Sequence, residues 1–340
     1  GDHQIVYLLK LLELSAKYHP GRLQSLLTRE IFAYANVPYK IKSYQDIVED
    51  PRNTIYFDFD LNTTLEKRVA TIGTDGKFIL DDNDRIYHVN LTEKLLVPML
   101  VKFSNFIPEA GIWMNTQRPE WNDANNALVG YGASMVTLYY LRRFVIFCLH
   151  LFKEVSTEHI KISEEVLELF ANINEGFRNF EDVLNDKISD HDRKRILDHS
   201  GQAGSEHRQK IYTHGFSGVR KSLAITELIS FLEMSLKYID HSITANKRDD
   251  DLFHAYNLIK FNNQNDISIR RLYEMLEGQV AVLSSGYLSY EDSIILLNSL
   301  RKSALYRADQ FSYLLYPNRE LTRFVNKKII QKKLAQQSPI

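Results

Sequence analysis

Cysteine is nearly absent from this 340-residue sequence, which contains only Cys148, in an apolar stretch. A single cysteine excludes an internal disulfide, so nothing in the sequence requires an oxidising compartment, and the expected location is cytoplasmic. Glycine and proline are also scarce, at 14 and 8 residues. Because these two residues interrupt helices and form turns, their scarcity, together with recurring Leu, Glu, Lys and Ile, predicts a mainly α-helical protein.

An excess of charge of either sign is lacking as well. The sequence has 42 Lys and Arg against 43 Asp and Glu, a formal net charge of -1. A basic field attracts nucleic acids and anionic membranes, so this balance supports neither as a partner. The most apolar window, residues 133–152, contains Arg142 and Arg143 at its centre. Charges there are costly in lipid, so we expect no membrane span.

Apolar residues at helical spacing predict an opening hairpin of two helices, residues 5–17 and 23–35, around His19-Pro20-Gly21. Residues 54–60 alternate in the manner of a strand, and residues 77–90 are typical of a short β-hairpin that turns at 81–84. Asn90 is the expected N-cap of a helix that ends near Pro108. A long apolar helix over residues 134–154 should lie inside a bundle.

The second half of the sequence predicts one helix after another, over residues 164–173, 177–185, 190–199, 217–241, 251–261, 268–283, 290–305 and 320–334. Short connections make neighbouring helices antiparallel. We therefore expect one helical domain over residues 1–340, built from antiparallel hairpins, with a small β-hairpin insertion around 54–90. Gly201 and Gly204 indicate an internal break near 200–205. The sequence opens with Gly-Asp instead of Met, as expected of a processed chain or a fragment of a longer one.

Both tryptophans of the chain, Trp113 and Trp121, fall within residues 107–126. Sugar rings present apolar faces and hydroxyl edges, so a sugar site needs flat aromatic rings together with amide, guanidinium and carboxylate groups. This segment contains all of these types. The predicted sugar-binding residues are Trp113, Asn115, Gln117, Arg118, Trp121, Asn122 and Asn126.

Glycosidic cleavage also needs a carboxylic acid beside the leaving oxygen. Glu109, Glu120 and Asp123 are the candidates in the segment, and Glu120 and Asp123 are three residues apart at a predicted helix start, near one face. Two neighbouring carboxylates can keep one of them protonated. The alternative is an ordinary helix start in which Glu120 lies in the first turn and Trp121 is a core anchor.

The sequence Glu120-Trp121-Asn122-Asp123, followed by Asn125 or Asn126, resembles the Asp-Trp-Asn-Asp motif of inverting disaccharide phosphorylases that act on cellobiose or chitobiose. The resemblance covers about six residues, with Glu120 in place of the first Asp and Ala124 where Gly is common. It implies an (α/α)6 toroid, complete or partial, and an acid role for Asp123, with Glu120 as its near equivalent. It also implies inorganic phosphate as a co-substrate and no other cofactor.

Two further groups of residues are candidates for parts of a site. His214, Ser217 and Arg220 lie in a Gly-punctuated loop that could hold a phosphate, although the same pattern is common in helix caps. Glu277, in an apolar helix, is the candidate second carboxylate and general base of a hydrolase, or else the partner of an arginine such as Arg271. No metal site is predicted, since two possible ligands, Asp250 and His254, are too few.

These observations predict a carbohydrate-active enzyme, a glycoside hydrolase or phosphorylase, that cleaves an oligosaccharide or disaccharide. The rival prediction is a helical scaffold or regulatory protein in which the 107–126 segment is a structural plug. An enzyme requires this segment to line an open polar pocket. A plug requires buried tryptophans and carboxylates that are tied up by basic side chains.

Overall fold

The computed structural model describes residues 2–81, 83–116, 127–262, 265–318 and 322–327. Short 3-10 helices lie at Gly73–Lys77 and Glu181–Asn185. The α-helices are α1 (Asp2–Tyr18), α2 (Arg22–Leu26), α3 (Tyr44–Glu49), α4 (Phe59–Ile72), α5 (Leu91–Phe103), α6 (Met135–Lys153), α7 (Glu164–Asn179), α8 (Asp190–His214), α9 (Ile225–Thr244), α10 (Leu276–Ser284), α11 (Tyr290–Lys302) and α12 (Phe324–Lys327).

The strands form one larger sheet and several small ones. The five-stranded sheet has the order β11-β10-β7-β6-β5, with antiparallel neighbours throughout. Two-stranded pairs are β1–β4, β2–β3, β8–β9 and β12–β13. The strands are β1 (Phe32–Ala33), β2 (Tyr39–Ile41), β3 (Ile55–Phe57), β4 (His88–Val89), β5 (Phe106–Ile107), β6 (Gly111–Trp113), β7 (Gly132–Ser134), β8 (His159–Ser163), β9 (Arg220–Ala224), β10 (Tyr256–Asn262), β11 (Asp266–Arg271), β12 (Tyr306–Arg307) and β13 (Ser312–Tyr313).

The five-stranded sheet overturns the predicted fold class. Helix accounts for 55% of the structure and strand for 17%. A mainly α protein of antiparallel hairpins, toroid-like or a partial toroid with one β-hairpin insertion around 54–90, is therefore wrong. Within residues 54–90, Leu80 and Ile86 form an antiparallel bridge across the expected turn, but β3 pairs with β2, β4 pairs with β1, and helix α4 lies between β3 and β4. The sheet combines strands from both halves of the chain, which a string of local hairpins cannot do.

The structure differs from the sequence prediction mainly where predicted helices are strands. Residues 251–261 and 268–283 contain β10 and β11, and residues 217–241 begin with β9. Strand β10 is buried over most of its first half, where both of its faces are covered, so its sequence lacks the alternation of apolar and polar residues. An apolar run of this kind cannot be told from a buried helix by periodicity alone.

The hydrophobic core is organised around α6. This helix is capped by Ser134 and packs against α1, α9 and α10. Arg142 and Arg143, which interrupt its apolar sequence, pair with Asp240 of α9 and Glu13 of α1, each at 2.6 Å. The two arginines therefore attach α6 to its neighbours at half-buried positions.

By length and composition, α6 is also the one helix of the described residues that could cross a membrane. The buried share of its apolar window is 61%. Core helices of large domains meet the same criterion, so this finding is weak evidence for a span.

The glycines expected to break the chain near 200–205 lie in the middle of α8, which continues through them. A Cβ at Gly201 would lie 2.4 Å from Cε2 of Tyr44, and one at Gly204 would lie 2.6 Å from Cβ of Ser104. Real side chains do not approach so closely. These glycines therefore permit close packing between α8 and the segments that contain Tyr44 and Ser104.

We predict that Gly201→Ala lowers the free energy of unfolding by about 1–3 kcal/mol, because the added methyl group collides with the Tyr44 ring. Alanine gains roughly 1 kcal/mol in helix propensity, so the collision must exceed that gain. In a Tyr44→Leu background the side chain that faces Gly201 is smaller. There, Gly201→Ala should lower the free energy of unfolding only slightly, or raise it. Urea denaturation of the four proteins of this cycle measures the difference. An equal cost in both backgrounds would show that the ring is not the obstacle.

Candidate functional site

The first half of the tryptophan-rich segment, residues 107–116, is built into the sheet. Strands β5 and β6 pair through Phe106 with Ile112 and Ile107 with Gly111. Gly111 has a φ of 115°, and a Cβ there would lie 2.6 Å from the carbonyl oxygen of Ser134, so glycine is required. The helix expected to end near Pro108 therefore ends at Phe103, and β5 and β6 follow it.

Trp113 and Asn115 are buried, at 2% and 7% exposure. The indole Nε1 of Trp113 donates to the Gly130 carbonyl at 3.0 Å, and its ring centroid lies 5.2 Å from that of Phe261. The Asn115 amide donates to Oδ1 of Asn105 at 2.6 Å. Both predicted sugar-binding side chains are thus engaged within the protein, where they anchor the end of β6.

The second half of the segment, residues 117–126, belongs to the connection between β6 and β7. The Met114 amide donates to the Gly132 carbonyl at 2.9 Å, and the Gly130 amide donates to the Met114 carbonyl at 2.7 Å. These bonds extend the β6–β7 pairing to the base of the connection. Seven predicted site residues within it lie outside the described residues: Gln117, Arg118, Glu120, Trp121, Asn122, Asp123 and Asn126.

Glu109 lies in the β5–β6 turn and is only 3% exposed. Its Oε2 accepts from Nη2 of Arg193 at 2.7 Å, and its Oε1 accepts from the Ile188 amide at 3.1 Å. The backbone adopts a φ of 61°, in the left-handed region that a non-glycine residue rarely occupies. Because both oxygens are bonded inside the protein, Glu109 functions here as a structural carboxylate.

Glu277 lies in the first turn of α10 and is half-buried. Its Oε2 accepts a hydrogen bond from the Tyr256 hydroxyl at 2.6 Å. Tyr256 belongs to a buried cluster with Met114 and Ala255, against which Leu128 also packs. Met114 precedes the 117–126 connection by three residues and Leu128 follows it by two. The fold thus brings Glu277, through Tyr256, to the base of this connection.

Arg271, the alternative partner of Glu277, binds other groups. Its guanidinium donates to the carbonyl oxygens of Glu109 and Ala245 and to Oδ1 of Asn246. Nothing in the sequence predicts that Glu277 is bonded instead to the hydroxyl of Tyr256, 21 residues away.

The donors of the predicted phosphate loop are bonded to carboxylates. His214 is the last residue of α8, and the Ser217 amide donates to Oε1 of Glu165 at 2.8 Å. Arg220 lies in β9 and not in a helix, with its guanidinium 3.3 Å from Oε2 of the fully buried Glu93. The strongest donors of this loop are therefore occupied within the protein.

A separate cleft of about 950 Å³ lies between α3 and α8. Its walls include the acid Asp198, which accepts from the Tyr44 hydroxyl at 2.6 Å and from Lys194 at 2.7 Å. Burial, together with the nearby Asp198 carboxylate, raises the pKa of the Tyr44 hydroxyl. The i,i+4 spacing of Lys194 and Asp198 is visible in the sequence, whereas the contact with Tyr44 spans 154 residues and is not.

The Asp250–His254 spacing does not produce a shared site. Asp250 pairs with Arg248 at 2.8 Å, while Nδ1 of His254 bonds to the Leu272 carbonyl at 2.7 Å. Burial lowers the pKa of His254 to about 4. Across the part of the chain that the structure describes, no group of three or more His, Cys, Asp or Glu is placed to hold a metal.

No protein-family model matches the sequence, and no curated protein matches it significantly.

Proposed function

We propose that this protein is a carbohydrate-active enzyme that cleaves glycosidic bonds, by hydrolysis or by phosphorolysis, at the 117–126 connection. The acid is Asp123 or Glu120, following the resemblance to the phosphorylase motif. Glu277 is the second carboxylate if water is the attacking group. If inorganic phosphate attacks, it takes the place of an activated water and no second carboxylate is needed.

One observation carries this proposal. Different features of the sequence indicate Glu277 and the acidic connection, and they are about 150 residues apart in the chain. Tyr256 nevertheless bonds to Glu277 at 2.6 Å while packing with Met114 and Leu128, at the base of the connection. Glycoside hydrolysis requires two carboxylates on opposite sides of a sugar ring, and the position of Glu277 at the base of the connection that contains Glu120 and Asp123 supports the choice of Glu277 as the second one.

The Tyr256 bond has a chemical consequence for the proposed base. A carboxylate that activates water must be held in one orientation toward it. With Tyr256 on Oε2, the second oxygen of Glu277 is the one available to accept a proton. Tyr256 is 3% exposed and packs with Met114 and Ala255, so it is held in place by the core.

The test uses Trp121 as a reporter for the connection. Trp113→Phe leaves Trp121 as the single tryptophan, because the chain has only two. The variant is mixed with cellobiose or chitobiose, each with and without phosphate, and acrylamide quenching of its fluorescence is measured. We expect a quenchable indole that a cleavable disaccharide protects, since sugar faces stack on aromatic rings.

Turnover is followed in the same mixtures with the unmodified protein, as release of free sugar or of a sugar phosphate. Protection of Trp121 together with turnover supports the proposal. If none of the disaccharides changes quenching and none is cleaved, the proposal is wrong for this substrate class. Circular dichroism of Trp113→Phe is the folding control, because Trp113 is buried.

The second candidate function is a scaffold or regulatory protein with a structural plug, and the buried half of the segment favours it. Trp113 is 2% exposed, and Glu109 is bound to Arg193, as a plug requires. In that case Trp121 should resist acrylamide in the absence of any sugar. The same fluorescence experiment therefore separates the two candidates.

A further inference from the structure

A cavity of about 520 Å³ opens beside the β5–β6 turn, at the opposite end of β6 from the 117–126 connection. Its lining residues are Glu109, Lys187, His241, Thr244, Ala245 and Arg271. They come from the β5–β6 turn, the segment before α8, the end of α9 and the end of β11. Three of the six, Lys187, His241 and Arg271, carry basic groups.

Among the described residues, the guanidinium of Arg271 is bonded only to neutral oxygens. Its acceptors are the carbonyls of Glu109 and Ala245 and the side-chain oxygen of Asn246. Its Nε has no acceptor within the described residues. A guanidinium remains charged even when it is partly buried. Arg271 thus presents a positive charge at the cavity without a directly bonded carboxylate.

The nearby carboxylate of Glu109 attracts the Arg271 guanidinium electrostatically, but its two oxygens are bonded to other groups. Its Oε2 is bonded to Arg193 at 2.7 Å, and its Oε1 accepts from the Ile188 amide. Only its backbone carbonyl bonds to Arg271. The Glu109 side chain is therefore ion-paired with Arg193 and not with Arg271.

Lys187 adds a second positive charge. It is exposed, and within the described part of the chain its ammonium group makes no hydrogen bond or ion pair. His241 also lines the cavity, with its Nε2 bonded to the Asp186 carbonyl at 3.0 Å. An oxyanion between Lys187 and Arg271 would accept charge-assisted hydrogen bonds from both.

We propose that this cavity binds a phosphate-type oxyanion, either free phosphate or the phosphate group of a small monoester. Arg271 supplies a fork of planar donors, and Lys187 supplies a mobile point charge. The carbonyl and amide oxygens that Arg271 bonds to hold it in position before the ligand arrives. Phosphate binding in this cavity does not depend on the proposed sugar cleavage.

The test is binding of sodium phosphate, and separately of methyl phosphate, measured by calorimetry at constant ionic strength maintained with sodium chloride. Lys187→Gln is the main variant, because its side chain is exposed and its loss should not disturb folding. Lys260→Gln, at an exposed position on β10, is the matched control. Arg271→Lys keeps the charge but removes the fork.

We expect the parent protein and Lys260→Gln to bind phosphate with the same Kd, and Lys187→Gln to bind about tenfold more weakly or worse. Arg271→Lys should weaken binding as well. Tighter binding of methyl phosphate identifies a monoester site, and tighter binding of phosphate identifies a free-phosphate site. The proposal is overturned if the parent protein binds neither anion, or if Lys187→Gln binds both as well as Lys260→Gln does.

Discussion

Replacing Arg193 with alanine is expected to lower the free energy of unfolding by about 3–5 kcal/mol, because the buried carboxylate of Glu109 loses its partner. The two side chains are 3% and 4% exposed, with Nη2 and Oε2 2.7 Å apart. The Arg193 guanidinium also donates to the carbonyl oxygens of Pro108, Ile188 and Ile267. Alanine would leave these buried acceptors without a donor, which adds to the loss.

Urea denaturation followed by circular dichroism measures this effect. The matched control is Arg195→Ala, on the same helix, where the side chain is 53% exposed and pairs with Asp192 at 3.2 Å. Exposed ion pairs contribute about 1 kcal/mol or less, so this variant should be close to the parent protein. Similar losses in the two variants would mean that burial of the Arg193–Glu109 pair is not what makes it important.

Replacing Asp123 with asparagine is expected to reduce kcat by about 10²–10⁴-fold on any disaccharide that the parent protein cleaves. Asparagine is close in size to aspartate but cannot donate a proton to the leaving oxygen. Glu120→Gln tests the competing assignment, and the variant with the larger loss identifies the acid. Asp249→Asn, at an exposed position between α9 and β10, is the control for a loss of charge alone.

The same assay separates hydrolysis from phosphorolysis. Glu277→Gln should abolish most of a hydrolytic activity, because the proposed base is lost, but should leave phosphorolysis largely intact. Glu291→Gln, in the first turn of α11, controls for an equivalent change at an exposed helix start. Unchanged turnover in Asp123→Asn and Glu120→Gln would contradict the acid assignment, provided that both variants fold.

Local features of the fold were predictable because they depend on neighbouring residues. Asn90 caps α5 as expected, with its Oδ1 accepting the Glu93 amide at 3.0 Å. The long apolar stretch after residue 134 is α6, inside a bundle of helices, and the hairpin around residues 81–84 forms. Each of these elements is specified by capping, periodicity or turn chemistry within a few residues.

The sheet was not predictable in this way. Strands β6, β7 and β10 are brought together from positions as far apart as Gly111 and Asn262. They are short, and most of their residues are buried on both faces of the sheet, which removes the alternation that would mark them as strands. The role of Gly201 and Gly204 was not predictable either. A glycine that permits close packing cannot be distinguished in sequence from one that ends a helix.

For the candidate site, sequence alone determined the chemistry available: two tryptophans and several carboxylates in one segment, Glu277 elsewhere, and no excess of charge. Only the tertiary structure decided which of these groups are hydrogen-bonded or ion-paired within the protein. It assigned Glu109 to Arg193, Trp113 to the end of β6 and the Glu277 carboxylate to Tyr256. The reason is physical: residue types limit which bonds can form, but a buried polar group takes the partner that folding brings to it, and that partner can lie anywhere in the chain.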